Sequence, residues 1–282
     1  MNMSSHFAPP PRRVPASIVL LNVFGGATQI GWFVFGFGMI FFWVFAGNAD
    51  LSFVTFRGAI TETIGRVTNV ESTGASENDQ TVMANHYEYS VAGKRLTGTS
   101  YTTGSSASPG EEVKVEYKDG DPQESRISGM RRGMFGPFVF IVTIFPFIGF
   151  VIVYFATKWG FRRAQLLRVG VLTTGKLIGK APTNMTVNKR RVYELTFEFT
   201  SRDGRRCEAK ARSSDTARLE DEHAEPLLYD PSDPSRAYLL DEVPGRPGID
   251  GTGELVGRPV AGLLSMILPG IVIGANVWAF LR

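Results

Sequence analysis

Three long runs without a charged residue divide this chain, and the polar blocks between them repeat each other. The runs extend from Ile18 to Ala46, from Met134 to Thr157 and from Val260 to Phe280. A helix rises about 1.5 Å per residue, so about 20 apolar residues cross the roughly 30 Å of bilayer hydrocarbon. Any one run alone would also suit the buried core helix of a soluble protein. Three together point to a membrane protein, and few architectures can place all three in lipid. The first run resembles a signal segment ending at Gly47-Asn48-Ala49, but it is about twice the usual apolar length of one, which favours an uncleaved anchor. It is also the only run long enough to suggest a break, near Gly25-Gly26.

The polar blocks align on separate anchors at an offset of roughly 110 residues. Thr63-Ile64-Gly65-Arg66-Val67 matches Thr173-Thr174-Gly175-Lys176-Leu177, and Tyr87-Glu88-Tyr89 matches Phe197-Glu198-Phe199. Gly93-Lys94-Arg95 matches Gly204-Arg205-Arg206, and Tyr117 with Asp121-Pro122 matches Tyr229 with Asp233-Pro234. The expected organisation is an N-terminal tail (1–17), a span (18–46), a β module (47–133), a span (134–157), a second module (158–256) and a span (257–281).

Both modules read as small antiparallel β-barrels or sandwiches of short strands. Tyr193, Leu195, Phe197 and Phe199 alternate with polar residues, which is the period of a strand with one dry and one wet face. Cys207, Ala209 and Ala211 continue the pattern after a turn at Ser201–Gly204. In the first copy Tyr87, Tyr89 and Val91 share a face, Ala92-Gly93 turns the chain, and Val113, Val115 and Tyr117 form the last strand. The Ser/Thr/Gly-rich stretches Ser72–Gln80 and Thr99–Gly110 read as loops. Arg162–Val169 reads as a basic helix lying at the headgroups or extending the second span.

This recurring unit resembles the bacterial membrane-protein family catalogued as domain of unknown function number thirty-five ninety-two, in two tandem copies. The shared pattern is an early Gly-basic-hydrophobic strand, a paired-aromatic strand before a Gly turn, and a closing segment with prolines. Here these are Gly65-Arg66-Val67, Tyr87-Glu88-Tyr89 and Val115 to Pro122, then Gly175-Lys176-Leu177, Phe197-Glu198-Phe199 and Leu227 to Pro234. The second copy keeps Pro231 and Pro234, whereas the first has Asp119 in place of the earlier proline. The resemblance implies a membrane location and carries no activity with it.

Basic residues near the span ends set orientation. Arg12, Arg13, Lys158, Arg162, Arg163, Arg168, Arg246 and Arg258 all fall on one side if the N-terminus is cytoplasmic, while Arg131 and Arg132 count against it. The resemblance implies a bacterial inner membrane, and the basic residues place the N-terminus inside. Three crossings then put the two modules on opposite faces.

Few residues point to chemistry. His6, His86 and His223 lie far apart, and no metal-ligand spacing occurs. Cys207 suits a small core residue, and a single cysteine allows no intrachain disulfide. Glu220-Asp221-Glu222-His223 with Glu225 lacks the glycine of a calcium loop. No cofactor, catalytic or metal site is expected. Lys189, Arg190 and Arg191 are candidates for lipid-headgroup contact, and Gly270 and Gly274 for close helix packing, within the chain or between chains. Asn22, Thr28, Gln29 and Asn276 are the main polar groups in the spans, suited to a pore lining or to plain helix contacts. A net charge of +3 does not argue for nucleic acid. The spans carry no Asp, Glu, Lys, Arg or His, which argues against transport by this chain alone. The expected function is non-enzymatic binding or scaffolding through the modules, with the bilayer and a protein or a second copy as partners. An accessory subunit of a transport or secretion complex is one alternative, and a membrane-bound enzyme is the other. An enzyme would gather shifted titratable groups in one pocket.

Overall fold

The computed structural model describes residues 7–220, 223–245 and 247–282. His6, Asp221, Glu222 and Arg246 lie outside the described residues. In chain order the elements begin with helices α1 (Ala16–Phe24), α2 (Ala27–Val44) and α3 (Ser52–Thr55). Strands β1 (Ile60–Glu77), β2 (Gln80–Val91), β3 (Lys94–Thr103), β4 (Glu112–Lys118) and β5 (Asp121–Ile127) precede helix α4 (Ile144–Val169). Then come β6 (Val171–Val187), β7 (Arg190–Thr200), β8 (Arg206–Ser213), β9 (Glu225–Asp230) and β10 (Asp233–Leu239). A short pair, β11 (Gly248–Ile249) and β12 (Leu255–Val256), leads into α5 (Pro259–Leu264) and α6 (Ile267–Phe280).

Three helical stretches, Ala27–Asn48, Pro137–Val169 and Pro259–Phe280, are long and apolar enough to cross a membrane. Their surfaces present Phe33, Ile40, Phe147, Phe150, Ile271 and Val277 outward, an apolar surface that suits lipid rather than water. The fold thus combines three long apolar helices with two five-stranded antiparallel sheets, neither of them a closed barrel. Residues through Val34 together with those from Ile148 onward form one compact unit, and Phe35–Phe147 form another.

In the unit Phe35–Phe147 the sheet order is β3-β2-β1-β4-β5. Its core is Val67, Tyr87, Tyr89, Leu96, Val115 and Ile127; of the alternating residues read from the sequence, Tyr87, Tyr89 and Val115 enter it, while Val91, Val113 and Tyr117 pack against it partly buried. Asp121-Pro122 opens the fifth strand, so the turn after Tyr117 joins a hairpin rather than ending the module. The sheet curls until its edges approach: Ser100 Oγ accepts the Ile127 N–H at 2.9 Å, and Tyr101 and Arg131 exchange backbone hydrogen bonds. Buried tyrosines need partners, and Tyr87 Oη meets Ser125 Oγ at 2.9 Å while Tyr89 donates to the Pro122 carbonyl. Ser72–Glu77 belongs to β1 and Thr99–Thr103 to β3, not to loops. Both faces of the β1 arm near Ser72–Glu77 are largely wet, so its polar composition hides the strand. Its hairpin turns on Asn78 and Asp79, both with left-handed φ (49° and 62°). Arg131 and Arg132, the two arginines that counter the orientation signal, have local work. Arg131 pairs with Glu77 at 2.7 Å, and Arg132 lies over the Phe56 ring and pairs with Glu124.

In the other unit the order β8-β7-β6-β9-β10 repeats the same topology. The β6–β7 hairpin again turns on two left-handed residues, Asn188 and Lys189 (φ 50° and 63°). Phe197 and Phe199 occupy the places of Tyr87 and Tyr89 in a core with Leu195, Ala209, Ala211, Leu227 and Tyr229, and Cys207 packs at its edge. Unlike β4, β9 is buried on both faces: Leu227 and Tyr229 enter this core while Leu228 enters a second one. That second core contains Ile18 of α1, Leu167 of α4, Leu240, Val243 and Leu255. Module 2 is therefore docked onto helix ends, and Pro226-Leu227-Leu228-Tyr229 is a continuous apolar run for that reason.

The first apolar run is consequently not a single membrane helix. Gly25 leaves helical geometry (φ −90°, ψ 179°) and Gly26 takes φ +57°, a value open to glycine at little cost. α1 then packs on module 2, and the helix long and apolar enough to cross a membrane begins at Ala27. The third run is interrupted as well, between α5 and α6. Gln29 ties the two breaks together by donating to the Phe24 and Ser265 carbonyls. Arg162–Val169 is a plain continuation of α4, not a separate interfacial helix.

Candidate functional site

The C-terminal turns of α4 and the second module enclose a cleft of about 980 Å³. α4 contributes Trp159, Arg162, Arg163 and Leu166, the sheet contributes Glu194, Lys210, Arg212, Asp230, Arg236 and Tyr238, and the turn after β10 contributes Asp241, Glu242 and Val243. The local fold explains each placement. Arg162 and Arg163 stand where α4 outlasts its apolar stretch, and Glu194 and Arg212 face each other in the β7–β8 register. The turn Leu240–Glu242 is anchored by Leu240, whose burial beside Leu228 and Leu167 fixes where Glu242 can point.

Glu194 accepts both the Nε (2.9 Å) and the NH2 (2.7 Å) of Arg212 and meets Lys210 at 3.4 Å, and the Arg212 hydrogen bond chiefly holds its carboxyl below the usual range. Arg236 bonds Asp233 at 2.9 Å. Arg163 stacks over the Tyr238 ring at 4.6 Å, and Tyr238 Oη donates to the Glu242 carbonyl at 2.7 Å. Burial pushes the Tyr238 hydroxyl pKa up. Burial also pushes the Glu242 carboxyl up to about 7, against the opposing pull of the Arg163 charge and of the Arg212 N–H that bonds its Oε1 at 3.2 Å. Among the described residues Arg162 and Arg163 enter no ion pair. The cleft thus offers two arginines on its helical wall and, on its sheet wall, carboxylates interleaved with Lys210, Arg212 and Arg236, with a neutralisable acid among them.

Sequence reasoning singled out none of Tyr238, Glu242 or Arg212, because they meet only in the fold. The one available signal was basic residues directly after a span. The residues it did single out are scattered. Lys189, Arg190 and Arg191 are exposed at the tip of the β6–β7 hairpin, and none of them lines the cleft. A side chain added at Gly270 or Gly274 would meet nothing within 4 Å, so the close packing they permit is not used inside the chain. Other glycines carry that role: an added Cβ at Gly31 would lie 2.8 Å from Val153 N, at Gly160 2.2 Å from Asn22 O, and at Gly38 2.5 Å from Pro146 N. Asn22 and Asn276 donate to carbonyls one turn back, Ile18 and Val272, and Thr28 is buried. His86 contacts Thr99 and Glu71 at the surface, and Glu220 pairs with Lys180 at 2.7 Å. Among the described residues no His/Cys/Asp/Glu group has a metal-binding arrangement. No family model, curated protein or solved structure matches this chain.

Proposed function

We propose that this is a membrane-anchored binding protein, and that it works through its β modules rather than by catalysis. The observation that carries the reading is the mixed-charge cleft where α4 meets the second sheet. Its bases and acids are largely satisfied by stacking and ion pairing, an arrangement suited to holding a polar ligand. The resemblance to the bacterial family of unknown function fits the same reading, with the chain in the inner membrane and its N-terminus cytoplasmic. The basic hairpin tip at Lys189, Arg190 and Arg191 would add an electrostatic contact with anionic lipid. A partner docked on the modules would make the chain a subunit of a transport or secretion complex.

A photo-crosslinking residue placed at Asp215 on the cleft rim, and another at Lys189, tests this in intact cells. Discrete adducts of defined mass are expected. Absence of adducts at both positions would overturn the binding reading. One observation favours the enzyme alternative, a carboxyl at Glu242 near neutrality, the condition of a general acid or base. The same cells separate the two. Adducts that persist in Glu242→Gln support binding, whereas turnover of a captured ligand that stops in Glu242→Gln supports catalysis.

A further inference from the structure

We propose that the cleft receives the headgroup of a zwitterionic phospholipid from the adjoining leaflet, its phosphate toward Arg162 and Arg163 and its amine toward Asp241 and Glu242. The proposal rests on the binding reading above and names the ligand class.

Depth is the first argument. The charge-free part of α4 ends at Thr157, with Lys158 and Trp159 next. At about 1.5 Å per residue, Arg162 and Arg163 stand roughly 7–9 Å past that edge. Each headgroup layer is roughly 5–8 Å thick, so both guanidiniums sit at or just beyond phosphate level. Trp159, more than half exposed, occupies the interfacial position that tryptophan favours.

Chemistry is the second. Arg162 and Arg163 enter no ion pair among the described residues, and guanidinium recognises a phosphodiester through paired N–H donors. The opposite wall carries five carboxylates against the three bases Lys210, Arg212 and Arg236, and this excess of acid disfavours a purely anionic lipid and attracts an ammonium. A ligand bearing both charges at headgroup spacing satisfies both walls. The volume, about 980 Å³, is at the top of the usual range of roughly 300–1,000 Å³ for ligand pockets and leaves room for glycerol beside the headgroup.

Continuity with a second groove is the third. A shallower hollow of about 410 Å³ follows α4 from Arg162 and Gln165 past Phe161 to Thr157 and Tyr154, back toward the apolar stretch. It shares Arg162 and Gln165 with the cleft. An acyl chain lying on Phe161 and Tyr154 would enter the hydrocarbon while its headgroup stays in the cleft. A free phosphate–amine compound would use the cleft but not this groove, and that difference separates the two sources of the same chemistry.

The test is native mass spectrometry of the full chain in mild detergent, titrated separately with phosphatidylethanolamine, phosphatidylglycerol and soluble phosphoethanolamine. One retained phosphatidylethanolamine is expected, bound about tenfold more tightly than phosphatidylglycerol. The double variant Arg162→Gln/Arg163→Gln should lose about tenfold in that affinity, and Phe161→Ala should weaken the lipid but not phosphoethanolamine. Because Arg163 stacks on Tyr238, the double variant risks misfolding. Arg162→Gln alone, at an exposed position without an ion pair among the described residues, then serves as the probe and should lose severalfold. Equal or tighter phosphatidylglycerol binding, or unchanged affinity in a folded variant, would overturn the proposal. Phosphoethanolamine bound as tightly as the lipid would overturn the bilayer as the source. A protein adduct at Asp215 alongside either failure would leave the binding reading standing while removing the lipid assignment.

Discussion

At the scale of the residue, position within the fold sets the behaviour of otherwise ordinary side chains. Glu242 holds its proton up to about pH 7 because burial disfavours the carboxylate. A carboxyl raised above its ordinary value of 4.5 binds its proton more tightly in the folded state, so stability is lost as pH rises from about 4.5 to about 7. Glu242→Gln keeps an acceptor for the Arg212 N–H and removes the charge. It should be more stable than the parent by about 2–3 kcal/mol at pH 8, with the difference vanishing near pH 4.5. Thermal unfolding at the two pH values checks this, and a pH-independent difference would refute it. Gly65 and Gly175 hold matching places in the two sheets. A methyl at Gly65 would lie 2.7 Å from Val115 Cγ2 and 2.8 Å from the Glu88 carbonyl, and one at Gly175 would lie 2.6 Å from Leu227 Cδ2. Gly65→Ala should cost about 1–3 kcal/mol, measurable as earlier unfolding of the first module in hydrogen exchange.

At the scale of the element, the end of α4 shows how a tail can finish a helix. Arg12 is almost fully buried and donates to the carbonyls of Leu167 (3.2 Å), Gly170 (2.8 Å) and Ala8, while its own N–H bonds the Arg168 carbonyl. Burial lowers its pKa to about 10, still well above neutrality, so it remains a cation at the negative end of the helix dipole. In the sequence Arg12 reads as an orientation signal, whereas in the fold it satisfies carbonyls that the helix cannot. Arg12→Ala should cost about 2 kcal/mol and speed amide exchange in the last turn of α4. Unchanged exchange there would show the cap to be dispensable. Strands β2, β4, β7 and β8 were legible from their period of two, since each has one dry face. The polar arm of β1, the doubly buried β9 and the strands β3, β5 and β10 were not, because their apolar residues do not alternate over enough positions.

At the scale of the molecule, the number of apolar runs predicts alternating crossings, and the lone cysteine makes that testable. Cells carrying native Cys207, and cells carrying Cys207→Ser with Ser76→Cys, are treated with an impermeant maleimide. Ser76→Cys should label in intact cells, and Cys207 only after permeabilisation and denaturation. Labelling of both in intact cells would mean that one run does not cross. In the unit that holds the second module, the capped end of α4, the start of α1 and the start of α5 lie together: Arg258 N–H bonds Ser17 Oγ at 2.9 Å, and Gly262 packs on Ser17.

Sequence alone determined the three apolar runs, the duplicated β unit and the part of each module's core that lies on alternating strands, since these depend on local hydrophobicity, period and turn chemistry. Only the tertiary structure decided that α1 breaks from α2 to pack on the second module, and that Arg162, Arg163, Arg212, Tyr238 and Glu242 share one cleft. The reason is physical. Whether an apolar helix faces lipid or protein, and which charges converge, depends on partners distant in the chain, and no local pattern records them.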